Sequence, residues 1–250
     1  MNGNPRLLHL YPRELGINGD VGNVKALVAR ARWRGIEVEV LEHHTGGEFP
    51  IDVDLVHIGS GPLAAQRAVH SDLLRIAPAL RELAADGVPV LAIAGGWQLL
   101  GHRLAVGSDE FVDGAAVFPT HARILPTRFV GEVVLDTSIG RVAGFENHST
   151  TTALDEGSRP FGKVLASGAS AAQSGLERFD GVSVGESIGT NLHGPLLPMN
   201  PALADRLLLA VLRRHNTEAW LADLPPSAQV DEYAARARAA IGERLGVRSS

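Results

Sequence analysis

Three short segments carry the residue types that acyl chemistry needs. The first is Val88-Pro89-Val90-Leu91-Ala92-Ile93-Ala94-Gly95-Gly96-Trp97-Gln98-Leu99-Leu100-Gly101, an apolar run that turns through two glycines into helix-forming sequence. A turn of this kind is a nucleophile elbow. It lifts one side chain out at the C-terminal end of a strand, where the next residue's N–H helps to form an oxyanion hole and the helix N-terminus favours negative charge. Glycine suits the positions after the apex, because a side chain there blocks the turn and the approach of substrate. The apex residue is Ala94, which has no nucleophilic atom. On the residues alone a second reading stays open, a glycine-rich helix start used only for packing or for holding an anion.

The second segment is Gly189-Thr190-Asn191-Leu192-His193-Gly194-Pro195. A lone histidine is usually structural, but here glycine and proline fix the backbone around His193 in a loop, which suits an imidazole aimed at a reacting group. The third is Gly59-Ser60-Gly61-Pro62, which with Ala64 matches the dinucleotide pattern G-x-G-x-x-A. That pattern belongs on the first strand of its unit, needs an open helix start rather than Pro62, and should precede an acidic strand end, whereas Glu82 falls in a helical stretch. A turn that offers the amides of Gly59, Ser60 and Gly61 to an oxyanion fits better.

The elements that must position these segments read as an alternating α/β chain. Arg6 to Tyr11 is an apolar strand, and Asp20 to Trp33 has helical spacing with Val24, Leu27, Val28 and Ala31 on one face and Asp20 as N-cap. Strands follow at Ile36 to Leu41 and Asp54 to Ile58, then a long helix from Leu63 to Ala85, interrupted or bent near Pro78. Val88 to Ile93 is a central strand covered on both faces, and helix resumes from Trp97 to Leu104. Strand, helix, strand at this spacing predicts a parallel sheet with crossover helices. Beyond Gly107 strand candidates at Phe129 to Leu135, Lys163 to Ala166 and Val182 to Ile188 suggest an antiparallel region. Pro201 to Arg214 is a helix, and after Leu224-Pro225-Pro226 a final helix, Asp231 to Leu245, is expected to pack on the domain or on a partner.

With 250 residues and 45% apolar content, one large core is the expectation. The net charge of −5, with 23 basic residues spread among 28 acidic ones, argues against a nucleic-acid footprint. No apolar run has the length of a membrane span, and Met1 to Arg6 lacks the order of a secretion signal, so a cytoplasmic protein is expected. The absence of cysteine removes disulfides, thiolate metal sites and thiol catalysis from the chain as written, and no metal site is expected.

Gly19-Asp20-x-Gly22-Asn23, the Gly59 loop, the elbow with Gln98, and the Thr190 to Pro195 loop together resemble the cobyric-acid-synthase-like class I glutamine amidotransferases. Tyr11-Pro12, Gly144-Phe145-Glu146-Asn147-His148 and His193 to Pro198 look most like the glutaminase subunits of lipid II isoglutaminyl synthases. The resemblance implies a three-layer, flavodoxin-like domain over residues 1–215, with 216–250 as a helical tail. It places Ala94 where the family carries its cysteine in Cys-x-Gly-x-Gln, with Gly96 and Gln98 matching the rest. A thiolate there would attack the side-chain amide of L-glutamine, His193 would shuttle the proton, and Gly95 with the Gly59 to Gly61 loop would hold the oxyanion. Arg128 is a candidate for gripping the α-carboxylate, with an exposed surface arginine as the other reading, and Gln98 would orient substrate, support the elbow or only pack its helix. An acid two residues after the histidine is usual, but Pro195 stands there, so the third member of a triad is unassigned.

The resemblance further implies a heterodimer with a Mur-ligase-like synthetase subunit of the MurT type. That partner would use ATP and Mg2+ to activate the D-glutamate α-carboxyl of lipid II; this chain has no G-x-x-x-x-G-K-[ST] and no cofactor is expected on it. Three readings follow: such a subunit with an inactivating Cys-to-Ala change introduced for study, an amidotransferase for corrinoid-type acids, or a naturally inactive homologue that binds glutamine or a partner.

Overall fold

The computed structural model describes residues 3–107, 109–169, 178–215 and 228–247. Its first half is the expected alternation: β1 (Arg6–Leu10), α1 (Val21–Arg32), β2 (Glu39–His43), β3 (Leu55–Ile58), α2 (Leu63–Ala85), β4 (Val90–Ile93) and α3 (Gly95–Leu100). Strand neighbours run β2, β1, β3, β4 and then β12 (Ser187–Thr190), all parallel, with β11 (Val182–Val184) antiparallel at the edge. Side chains alternate across the sheet. Leu7, Leu55, Leu91, Ile93 and Ile188 pack with α1 and α5 (Pro201–Arg214) on one face, and Leu8, Leu10, Val56, Ile58 and Val90 pack with α2 on the other. Both faces of each central strand are therefore dry, which is why those strands read as unbroken apolar runs. The architecture is the expected α/β one, with helices on both faces and an antiparallel extension.

That extension is a second sheet of β5 (Arg103–Ala105), β6 (Phe111–Asp113), β7 (Thr120–Thr137), β8 (Gly140–Leu154), β9 (Gly162–Ser167), β10 (Phe179–Asp180) and β13 (Leu192–His193). β7 and β8 form one long antiparallel hairpin whose register shifts between Ile124 and Phe129, around Pro126, a residue that cannot donate to the ladder. The strand expected at Phe129 to Leu135 is thus the far half of a much longer one.

Several expectations shift. The helix expected from Trp97 to Leu104 spans Gly95–Leu100, because Gly101 is extended and Arg103–Ala105 joins the second sheet. The single strand expected over Val182 to Ile188 is a hairpin, turning at Gly185 with φ 57°. α2 runs through Pro78 without interruption. Asp20 makes no side-chain capping bond to α1, and its carboxylate is engaged elsewhere.

α4 (Leu196–Met199) leads into α5, and α6 (Ala228–Arg244) lies against β7, β8 and α4, burying Ile241 on Val134 and Ala143. The segment Leu224-Pro225-Pro226 lies outside the described residues. Arg30 on α1 ties this layer together: its Nε and Nη2 donate to Asp205 on α5 at 2.8 and 2.6 Å, and Nη1 donates to Asp231 on α6 at 2.6 Å. The guanidinium is almost wholly buried while both acids keep partial solvent contact. Arg30→Ala removes a fully bonded buried cation and should lower the unfolding free energy by about 2–3 kcal/mol, read from denaturant midpoints, with Asp231→Asn costing less.

Candidate active site

The elbow is formed as a strained turn. Ala94 has φ 42° and ψ −104°, a conformation that non-glycine residues rarely adopt and that persists only where the surroundings impose it. Those surroundings are specific: the Ala94 amide donates to the Thr190 carbonyl at 2.7 Å, and the Ala94 carbonyl accepts from the Gln98 amide at 2.9 Å. Gly96 must lack a side chain, because a Cβ there would collide with the Gly59 carbonyl oxygen. Strands β3 and β4 are adjacent, so their C-terminal loops bring Gly59 to Gly61 beside Gly95 and Gly96.

The Gly19 to Asn23 motif is built to dock on the His193 loop. Gly19 has φ +83°, and a Cβ on Gly22 would lie 2.7 Å from Cγ of Pro195. Asn23 Oδ1 accepts from the Leu197 amide at 2.9 Å at the start of α4. Between them Asp20, fully buried, accepts hydrogen bonds from His193 Nδ1 at 3.0 Å and from the Ser60 amide at 2.9 Å. His193 is also fully buried, and its Nε2 has no hydrogen-bond partner. The carboxylate fixes the tautomer, with the proton on Nδ1 and the lone pair on Nε2. The acid paired with His193 is therefore Asp20, from within this chain. Sequence spacing held no sign of it, since 173 residues separate it from His193; the pairing follows from β1 and β12 ending at the same edge of one sheet.

The His193 loop has its own anchor. Asp180 takes bonds from the Thr190 hydroxyl and from Asn191 Nδ2, the latter at 2.9 Å; burial pushes its pKa above the usual carboxylate range. Buried His57, held neutral by desolvation, reaches the carbonyls of Asp20 and Leu91 and can donate to one of them at a time.

A hollow of about 350 Å3 opens over the elbow. Ala94, Gly95, Ser60, Gly61, Gln98 and Arg128 line it; Gly59 and His193 do not. Its donors are arranged differently from expectation. The Ser60 amide is spent on Asp20, so Ser60 meets the site through Oγ, which accepts from the Gly95 amide at 3.2 Å. Gln66, which the sequence did not suggest, lines the hollow, donates to the Gly61 carbonyl at 3.0 Å and keeps a buried Oε1 with no partner. Gln98 is tied to β8, donating to Thr150 Oγ1 at 2.8 Å. At the rim, Arg128 donates from Nε to Asn147 Oδ1 at 2.9 Å.

Glu146 and His148 form a separate pair beside this wall. His148 stacks on Phe129 with an interplanar angle of 13°, and the Arg178 guanidinium lies 4.9 Å from the centroid of the same phenyl ring. Burial alone would raise the Glu146 pKa, but hydrogen bonds from His148, Arg178 and Ser167 outweigh it and hold it down to about 2. Glu146 is fully committed to these partners and is not the acid of His193.

The matching family model is the CobB/CobQ-like glutamine amidotransferase domain, over residues 6–201. The chain belongs to this family. Subunit GatD of the glutamine-hydrolysing lipid II isoglutaminyl synthase of Staphylococcus aureus is 31% identical, the match covering 81% of this chain and 82% of that one. The corresponding subunit of Streptococcus pneumoniae is also 31% identical, over 83% and 80%. The cobyric acid synthase of Sphingopyxis alaskensis is 29% identical over 49% of this chain and 24% of its own length. Among solved structures, a glutamine amidotransferase aligns with TM-score 0.55 at 16% identity over 82% of this chain and 98% of the other. A Thermotoga maritima glutamine amidotransferase aligns with TM-score 0.53 at 15% identity, over 97% and 95%. The kinship expected from the motifs, including that with the lipid II enzyme's amidotransferase subunit, is borne out.

The depressed pKa of Glu146 gives this family member a signed pH dependence. A carboxylate held below its unfolded value of about 4.3 stabilises the fold above that pH and loses its contribution as pH falls towards 2. Glu146→Gln should be less stable than the parent at pH 7, and the gap should narrow as pH falls through 4 to 2, followed by thermal melting across that range.

Proposed function

We propose that this chain is the glutamine-binding amidotransferase subunit of a lipid II isoglutaminyl synthase, and that with cysteine at position 94 it is a glutaminase. The observation that carries the reading is a strained apex at Ala94, whose amide is held by the Thr190 carbonyl, on the same sheet end as an imidazole whose Nδ1 is held by Asp20 and whose Nε2 is left without a partner. In this reading a thiol at position 94 loses its proton to His193 Nε2, and the thiolate adds to the side-chain amide carbon of L-glutamine. The Gly95 amide, released from Ser60 Oγ, donates to the oxyanion with a partner amide from the Gly59 to Gly61 turn. His193 returns the proton to the departing ammonia, then draws one from water, which cleaves the thioester and frees glutamate. Arg128 holds the substrate's α-carboxylate, its planar fork matching that group, and Gln98 braces the elbow against β8.

Ala94 supplies no sulfur, so the chain as written binds glutamine and hydrolyses none. The ammonia of the cysteine form is destined for a Mur-ligase-like partner of the MurT type. There ATP and Mg2+ activate the D-glutamate α-carboxyl of lipid II at the cytoplasmic membrane face. Among the described residues no helix is long and apolar enough to cross a membrane. Ala94 itself favours a second reading, a naturally inactive homologue that serves its partner by binding alone.

Ala94→Cys should release glutamate from glutamine, more with the synthetase present than without; no release in either state would overturn the catalytic assignment and leave the binding role. In the Ala94→Cys background, His193→Ala and Asp20→Asn should each lower kcat by roughly a hundredfold or more, since one removes the proton carrier and the other its tautomer. Glutamine binding to the chain as written should weaken on the order of tenfold or more in Arg128→Ala, measured by calorimetry.

A further inference from the structure

At the end of α3 away from the elbow, three side chains with no part in the chemistry above converge. His102 follows the helix, His121 lies near the start of β7, and Asp155 lies just past the end of β8. His102 Nε2 is 3.1 Å from Asp155 Oδ2, and His121 Nε2 is 3.3 Å from Asp155 Oδ1. The imidazole centroids are 5.1 Å apart, and one donor atom from each residue falls within 4.8 Å of the other two. All three backbones are pinned. The His102 amide donates to the Thr120 carbonyl and its carbonyl accepts from Gly114, the Asp155 amide donates to the Pro119 carbonyl, and His121 is held in the ladder between Arg103 and Ala153. Arg103, the register partner of His121, is drawn to Asp113 instead.

Two imidazoles and one carboxylate are the donor set of open zinc sites, which keep a fourth position for water or another ligand. Bonds of about 2.0–2.1 Å in a tetrahedron put donor atoms about 3.4 Å apart; each imidazole nitrogen already stands near that distance from one oxygen of the carboxylate, and a small turn of the carboxylate would present one oxygen to both. Side-chain exposures of 39%, 54% and 38% leave the fourth position open to solvent. Both rings turn Nε2 to a single carboxylate, so a cation between them would replace one hydrogen bond and one ion-pair contact with three coordinate bonds. The sequence offered no hint because the ligands are 19 and 34 positions apart and come from separate elements.

We propose that His102, His121 and Asp155 bind one zinc-class divalent cation, which clasps the turn after α3 to the β7–β8 hairpin. The clasp closes the ring of elements running from the elbow helix to the strands that carry Arg128 and Thr150.

The test uses the full chain stripped with a chelator and titrated with Zn2+, and separately with Co2+, whose visible absorption reports its coordination. One equivalent of Zn2+ should bind and raise the melting temperature, Co2+ should give the bands of a four- or five-coordinate nitrogen and oxygen site, and Mg2+ should do neither. His121→Ala and Asp155→Asn, both on half-exposed side chains, should each weaken Zn2+ binding by about tenfold or more. Absence of saturable binding overturns the proposal, and so does binding that both variants retain at full strength, since the metal would then sit on other histidines.

Discussion

One buried carboxylate carries more of this site than any other group. Asp20 has no solvent contact and accepts from the Ser60 amide and from His193, so the loop after β1, the loop after β3 and the short strand β13 meet on two oxygens. A lone buried carboxylate is costly, and it is sustained here because donors from two other segments face its oxygens. The cost sets the precision. None of the three segments can move by much without leaving the carboxylate unpaired, so the imidazole, the Gly59 to Gly61 turn and the elbow share one frame.

Much of this frame was legible because its parts are local. Val88 to Ile93 is apolar on both faces because α2 and α5 cover it, and the glycines after Ala94 announce a tight turn whatever stands at its apex. His193 stood out through its flanking glycine and proline. The partnerships were not legible, because they join segments that meet only through sheet order. Asp20 looked like a helix cap by position, and only the parallel neighbours β1, β3, β4 and β12 turn it towards His193. Ser60 was read through its amide, yet that amide is consumed by Asp20 and the hydroxyl faces Gly95. Spacing alone carries the helix after the elbow too far for a similar reason: Leu104 is apolar enough for either element, and pairing with β6 and β7 decides for a strand.

The second sheet gives the rim of the site a different character from its floor. The floor is set by strand ends of the buried parallel sheet, where Ala94, Asp20 and His193 are buried and held by hydrogen bonds. Arg128, Asn147 and Thr150 come instead from the bent middle of a long antiparallel hairpin, where the register slips around Pro126. The residues that line the outer part of the hollow thus sit on a scaffold separate from the one that holds Ala94 and His193.

The strained backbone at residue 94 separates shape from reactivity. Alanine takes up the elbow's unfavourable torsions with nothing on its side chain to reward them, so the bend is owned by Thr190, Gln98 and the packing around Gly96. The apex is a socket whose form is cast by its neighbours, and the atom mounted in it is a separate decision. A chain of this design can gain or lose its reagent by one residue while everything that recognises it through shape meets the same surface.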